Sequence, residues 1–465
     1  MAEPSYEELL ADNRRLTAEN ERLQKRVAAL EQQIQKLAGA LDKSQRAEKR
    51  QAAPFSKGEP AVEPQRPGRK PGAEYGRKAH RLPPVPTQID ETYEAPLPTS
   101  CPTCGGTMEK TVVATQYQTE IPRRPIHREF HVHLGFCTKC GQAHQGRHPL
   151  QTSDALGAAA SQVGPDAQSA AVVLNKQSGL SHGKIVQVFR DLFGIIISRG
   201  GVAQSILRAG QRCQRAYQEI RQSVHDSPQV VPDETGWRVG GIQHWLHVLV
   251  GDEATCYQID RSRGAEVAAR VLGWDYSGVM THDGWASYDR FENALHQQCV
   301  AHILRRAHEL CETAHGRALC FPRQVQSLFE NALECRDLCL AGDVTPEALA
   351  ESLPEFLREL EELTRRPRQN PENDRLARHL WNHLQNWGVF LVDRDVDATN
   401  FRAEQALRGP IVNRKVWGGN RTSAGAAAQS ILCSVLETCR QHFLPVMDFI
   451  NQTIRGLSPT LLPKL

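Results

Sequence analysis

Between residues 228 and 302 the hydrophobic pattern breaks into short apolar blocks separated by glycine. Blocks at 230–233, 243–250 and 254–259 flank Gly240-Gly241 and Gly251-Asp252, and predict three successive strands. A helical stretch over 265–272 follows, then a strand at 278–282, a short helix near Tyr288 and a strand at 295–300. This β-β-β-α-β-α-β order constrains the fold more than any other feature of the chain. It predicts a sheet in which the first and fourth strands are neighbours. The first ends an apolar run on Asp233 and the fourth ends on Asp283, so the topology predicts that the two carboxylates converge.

The same order is that of an RNase H-like fold. A third acidic residue, Glu404, lies in Thr399-Asn400-Phe401-Arg402-Ala403-Glu404, which reads as a helix start. Carboxylates at strand ends plus one on a helix suit a two-metal phosphoryl-transfer site. Mg²⁺ takes oxygen ligands, and two ions about 4 Å apart hold both the attacking and the leaving oxygen of a phosphodiester. Glu234 is a rival ligand, but on a strand it faces away from Asp233. Each acid alone is weak evidence, because Asp283-Gly284 also suits a plain turn and Glu404 a plain surface helix. Asn400 precedes Glu404 by four residues and is expected on the same helix face. Cys299 and His302 form a Cys-x-x-His pair with no second pair nearby, so they read as packing or orienting residues rather than metal ligands.

The remaining segments read as equipment for holding DNA. Residues 1–42 carry Leu9, Leu16, Leu23, Leu30 and Leu37 at heptad spacing, with Asn13, Asn20, Val27 and Ile34 among the a positions. That pattern predicts a parallel two-stranded coiled coil, and with it a homo-oligomer of at least two chains. Residues 43–95 are a Pro/Gly-rich basic linker. Eleven Lys/Arg face four Glu over 43–81, a local net charge of +7. Within it Arg66, Arg69 and Lys70 sit in an AT-hook-like Arg-Pro-Gly-Arg-Lys-Pro-Gly; a minor-groove contact and a solvated tether are both open. Residues 96–150 contain Cys101-x-x-Cys104 and Cys137-x-x-Cys140, each followed by Gly, as in zinc knuckles closing one four-thiolate structural Zn²⁺ site. The basic stretch between them, with Arg123 and Arg124, suggests a hairpin facing phosphates. Residues 151–227 are helical, with Ser181 and Ser198 as N-caps, and read as a helix-turn-helix or a helical spacer. Residues 303–390 form an all-α insertion broken by prolines. Residues 391–465 return to the catalytic domain with Glu404 and close in helices over 424–442 and 445–454. Arg414 and Lys415 are candidate phosphate contacts.

The fold class expected is therefore multidomain α+β. It comprises an N-terminal coiled coil, a four-Cys zinc module, a helical DNA-binding region and an RNase H-like α/β catalytic domain with an all-α insertion. At 465 residues the chain is long enough for two to four domains. No apolar run is long enough to span a membrane. Thirteen Cys, an odd number with only four in close pairs, point to a reducing compartment. A bacterial cytoplasmic, nucleoid-associated location is expected.

Four stretches in fixed order resemble the transposase of the insertion-sequence-66 family. They are Asp-Glu-Thr-Gly-Trp-Arg-Val at 233–239, Asp-Gly-Trp-Ala-Ser-Tyr at 283–288, Gln-Cys-Val-Ala-His at 298–302, and Asn400 to Glu404 followed by Arg408 and Arg414-Lys415. The likeness covers nearly the whole chain, with Phe401 and Gln405 departing from the usual Asn and Arg. It implies that Asp233, Asp283 and Glu404 are a DDE triad binding Mg²⁺ or Mn²⁺, two ions in all. It further implies end cleavage and strand transfer on DNA, and small accessory proteins encoded alongside. A DNA-binding regulator, an inactive copy and a metal nuclease without strand transfer are the rival functions.

Overall fold

The computed structural model describes residues 84–95, 98–100, 102–107, 115–118, 124–157 and 162–462. The coiled coil and Arg66, Arg69, Lys70, Cys101 and Arg123 lie outside them. The chain divides into two compact units, residues 1–119 and 120–465. In the first, the described residues include a 3₁₀ turn at Pro86–Gln88 and a bridge between Ser100 and Thr107 around the Cys104 turn. In the second, β1 (Leu134–Phe136) and β2 (Ala143–Gln145) pair antiparallel around Cys137 and Cys140. Much of the segment between the two cysteine pairs, where a hairpin is expected, lies outside the described residues. Residues 124–133 form no strand, and the pairing is local to the second Cys-x-x-Cys, where a glycine turn brings the strands together.

Four helices follow, α1 (Pro165–Lys176), α2 (His182–Phe193), α3 (Arg199–Arg212) and α4 (Gln214–His225). Ser181 and Ser198 cap α2 and α3 as expected, accepting the N–H groups of Lys184 (3.4 Å) and Gly201 (3.0 Å).

The sheet has the order β5-β4-β3-β6-β7, built from β3 (Gln229–Val239), β4 (Ile242–Val250), β5 (Thr255–Asp260), β6 (Val279–His282) and β7 (Leu295–Gln298). Strands 3 to 5 are antiparallel; β6 and β7 are parallel to their neighbours. β3 runs six residues past its expected end. Gly240 and Gly241 both adopt positive φ (58° and 82°) in a two-residue loop, the geometry that lets a tight hairpin match strand twist. Pairing therefore continues to Val239↔Ile242, and Asp233 lies mid-strand opposite Val248. The last strand is shorter than expected, because Cys299 caps α6 (Val300–Thr313).

Side-chain alternation gives the sheet two buried faces. Val230, Leu249, Cys256 and Met280 share one apolar cluster with α1–α4. Val231, Trp237, Leu246, Val248 and Tyr257 share another with α12 (Phe401–Trp417) and the start of α13 (Ser423–Gln441). A third cluster fills the insertion, where α6 is followed by α7 (Cys320–Ala341), α8 (Pro346–Glu351), α9 (Leu353–Thr364), α10 (Pro371–Asn382) and α11 (Val389–Val392). Pro322, Pro346, Pro354 and Pro371 start helices rather than break them, since a first-turn residue needs no intrahelical N–H partner. The chain closes with α14 (Val446–Ile454). Among the described residues no helix is long and apolar enough to cross a membrane.

Candidate active site

Asp233 lies within β3, and Asp283 directly follows the end of the adjacent parallel strand β6. Val230 of β3 is in register with Met280 of β6, and each acid follows its partner by three residues. Residues in register on parallel strands project to the same side, here the side covered by α12. Glu404 lies in the first turn of α12. Asp233 responds to this assembly. Burial first, then the charges of Asp283, Glu234 and Glu404, push its carboxyl up to about 7. The Glu234 N–H (2.7 Å) offsets part of the rise. Asp283 is exposed, and its carboxylate accepts the Trp285 N–H (3.0 Å).

Behind Asp283 a histidine relay fixes the turn. The Phe291 carbonyl can only accept, so His296 Nε2 carries a proton (3.0 Å) and its Nδ1 accepts from His282 Nε2 (3.0 Å). His282 Nδ1 is then free to accept the Gly284 N–H (3.2 Å). Burial, with His296 and His383 nearby, lowers His282 to about 3, so the ring stays neutral. Gly284 has φ 85° and lies against Gln298, whose Oε1 is 2.7 Å from where a Cβ would stand. The positive φ is what favours glycine there.

Three attachments place α12. Its N-cap, Asn400, is buried and donates its N–H to Cys299 Sγ (3.3 Å). Asn400 stands at the N-cap position, and its carbonyl accepts the Glu404 N–H (3.1 Å). His302 Nε2 approaches Glu404 Oε1 (3.7 Å), so Cys299 and His302 both act on α12, consistent with the orienting role expected for them. In mid-helix Pro410 cannot bond the Ala406 carbonyl, and the Tyr257 hydroxyl donates to that carbonyl instead (2.7 Å). At the far end Arg414 donates to Thr235 Oγ1 (3.2 Å) and to the Gly236 carbonyl. Its guanidinium thereby ties α12 to β3. Lys415 is exposed, as is Arg124.

Glu234, on the opposite face, is fully engaged. It pairs with Arg263 (2.8 Å) and accepts the Tyr288 hydroxyl (2.7 Å), with its side chain only 3% exposed. Sequence reasoning missed Arg263, Tyr288, His282, Tyr257 and Gln298. The motif 283–288 contains Tyr288, but only the fold brings it to Glu234.

Among the described residues no three His, Cys, Asp or Glu side chains are gathered tightly enough to hold one ion as they stand. The donor set nonetheless suits hard divalent cations: three carboxylates, all oxygen ligands, with no ion pair to Asp233 or Asp283 among the described residues. At the second cysteine pair the Cys137 thiol is held below its usual range, by the Cys140 and Lys139 amides and by the Cys140 thiol.

These features define a mixed α/β domain with an acidic centre beside the middle of its sheet. Residues 160–428, more than half of the chain, match the model of the transposase IS66 family, and the chain belongs to that family. No curated protein matches it.

Proposed function

We propose that this chain is the catalytic subunit of a DNA transposase with an RNase H-like core, acting through Asp233, Asp283 and Glu404. The observation that carries the reading is that the charges of Asp283, just past the end of β6, and of Glu404, in the first turn of α12, both act on Asp233 of the neighbouring strand β3. The reaction is phosphodiester hydrolysis at each element end, freeing a 3′-OH, followed by attack of that 3′-OH on target DNA. The three carboxylates would hold two Mg²⁺ or Mn²⁺ ions, which supply the positive charge that gathers the attacking and leaving oxygens. The protein's part is positioning. The His282–His296 relay and the Gly284 turn set Asp283, and Cys299, His302, Tyr257 and Arg414 set α12 and with it Glu404.

Lys415 and Arg124 are proposed to contact phosphate, and α2–α3 to read DNA. The coiled coil as an oligomerisation arm, Arg66, Arg69 and Lys70 as a minor-groove anchor and Arg123 as a phosphate contact rest on sequence alone. So do Zn²⁺ on the four cysteines and accessory partners. The test incubates the protein and its Asp283→Ala form with DNA carrying the ends that flank its gene, with Mg²⁺ or Mn²⁺. Metal-dependent 3′ nicking and joining, lost in the variant while end binding persists, is expected. Nicking without joining would make the chain a nuclease, and binding without either a regulator or an inactive copy.

A further inference from the structure

The insertion packs on the same face of the sheet as the proposed acids. Val231 has the strand parity of Asp233 and packs with α12, while Val279, with the parity of Thr281 on β6, packs against the apolar cluster of the insertion. α6 belongs to that cluster through Val300, Ile303 and Ala307. On α6, His302 approaches Glu404 Oε1 (3.7 Å), and Arg306 stands one turn further along the same helix face. Helical side chains lean towards the N-terminus of their helix, so Arg306 leans back towards His302 and the acidic centre. α10 brings a second attachment. His379 Cε1 lies 3.6 Å from where a Cβ on Gly284 would stand, directly after Asp283, and Arg306 is close enough to His379 to act on its ring. Arg306 is therefore close to both the Glu404 and the Asp283 sides of the centre.

Arg306 is short of acceptors. It is half-buried, yet it makes no hydrogen bond or ion pair among the described residues. Burial first, then Arg375, hold its guanidinium below the usual range. Glu372 and Glu309 offset part of this, but Glu372 is already paired with Arg375 (2.9 Å). A guanidinium has five N–H donors and keeps its proton, so a half-buried one without an acceptor is destabilising until an anion arrives. This is the converse of Asp233, an acid short of a cation. We propose that Arg306 binds a non-scissile phosphate of the DNA strand lying in the acidic centre, its planar fork taking two phosphate oxygens. This rests on the transposase reading for its substrate, but its readout does not depend on cleavage.

The test uses the full chain in Ca²⁺ with element-end duplexes in which each phosphate near the nick is replaced in turn by an uncharged methylphosphonate. Affinity is measured against salt concentration. One replacement should weaken wild-type binding roughly tenfold. Arg306→Gln should weaken binding to the unmodified duplex by a similar factor, lower the salt dependence by about one counterion and ignore that replacement. Arg306→Lys should keep the salt dependence and recover part of the affinity, because it supplies the charge without the fork. Both variants should melt no lower than wild type, since no bond is lost. Arg306→Gln that melts lower with an unchanged salt dependence would make the residue structural and overturn the proposal. A folded Arg306→Gln that still senses the replaced phosphate would also overturn it. Nicking in Mg²⁺ is scored separately. Wild type with the phosphate signature that never nicks would support the subsite and overturn strand cleavage. Wild type that nicks with no such signature would overturn the subsite and leave the transposase standing, and wild type that binds no end would overturn both.

Discussion

Asp233 and Glu234 are adjacent acids on one strand, and the protein treats them in opposite ways. Glu234 is given a guanidinium at 2.8 Å and a phenol at 2.7 Å. Asp233 is given other acids, and its carboxyl rises to about 7 from burial and their charge. A buried carboxylate with its own cation belongs to the framework. One surrounded by like charge is destabilising until something positive arrives, the usual condition of a metal-binding acid. The difference between the two faces of β3 thus separates the acid proposed for chemistry from the acid kept for structure, although the two are indistinguishable by residue type.

The largest effects should come from exchanging the two roles. Asp233→Asn should lower end cleavage by roughly a thousandfold or more, the loss expected when several kcal/mol of metal-mediated charge stabilisation is removed. The same variant should melt at a higher temperature than metal-free wild type at pH 8. The sign follows from the raised carboxyl: its contribution to stability is fully present below pH 4 and lost as pH rises through about 7, so Asn gains its advantage above that range. Glu234→Gln should act in reverse, lowering stability by about 1–3 kcal/mol by leaving Arg263 without its countercharge, with a far smaller effect on cleavage. Cleavage assays and melting curves on both variants decide it. Equal loss of cleavage in the two would abolish the distinction between the faces.

pH gives a second contrast within the site. His282 is lowered to about 3 by burial, so its contribution to stability is intact above its unfolded value and fades as pH falls from about 6.5 towards 3. Asp233 changes stability in the opposite direction over an overlapping range. Metal binding must displace the Asp233 proton, so Mn²⁺ affinity should rise about tenfold per pH unit below pH 7 and level off above it. Calorimetric titration across pH 5.5–8 measures this, and a flat profile would remove Asp233 from the ligand set.

Much of this contrast was legible in the sequence. Alternation and glycine turns located all five strands of the sheet, because period and turn chemistry are local. Parity along the strand put Asp233 and Glu234 on opposite faces. What the chain alone did not disclose were contacts made across long separations. Nothing near Arg414 in sequence indicates its bonds to Thr235 and Gly236. The extension of β3 to Val239 was hidden by Gly236, a poor strand former tolerated there through pairing with Trp245. The helix α12 continues through Pro410 because a tyrosine 153 positions earlier supplies the missing donor. Tyr257→Phe should therefore leave the Ala406 carbonyl without its donor and cost about 1–3 kcal/mol, seen as a lower denaturation midpoint. An unchanged midpoint would mean that the helix does not rely on this bond.

The smallest effect should come from His302. Its Nε2 lies 3.7 Å from Glu404 Oε1, and both side chains are about one third exposed. A pair that long and that open to solvent contributes at most about 1 kcal/mol, because water screens it and two side chains must be ordered to keep it. If His302 only steers Glu404, then His302→Ala should slow cleavage by about two- to fivefold, leave DNA binding unchanged and shift the Mn²⁺ requirement slightly upward. Cys299 would still hold the Asn400 N–H and keep the helix start in place. A loss of a hundredfold or more would exceed what so weak a pair can transmit. It would mean that His302 touches the reacting groups itself, and that the proposed catalytic face extends from the sheet onto α6.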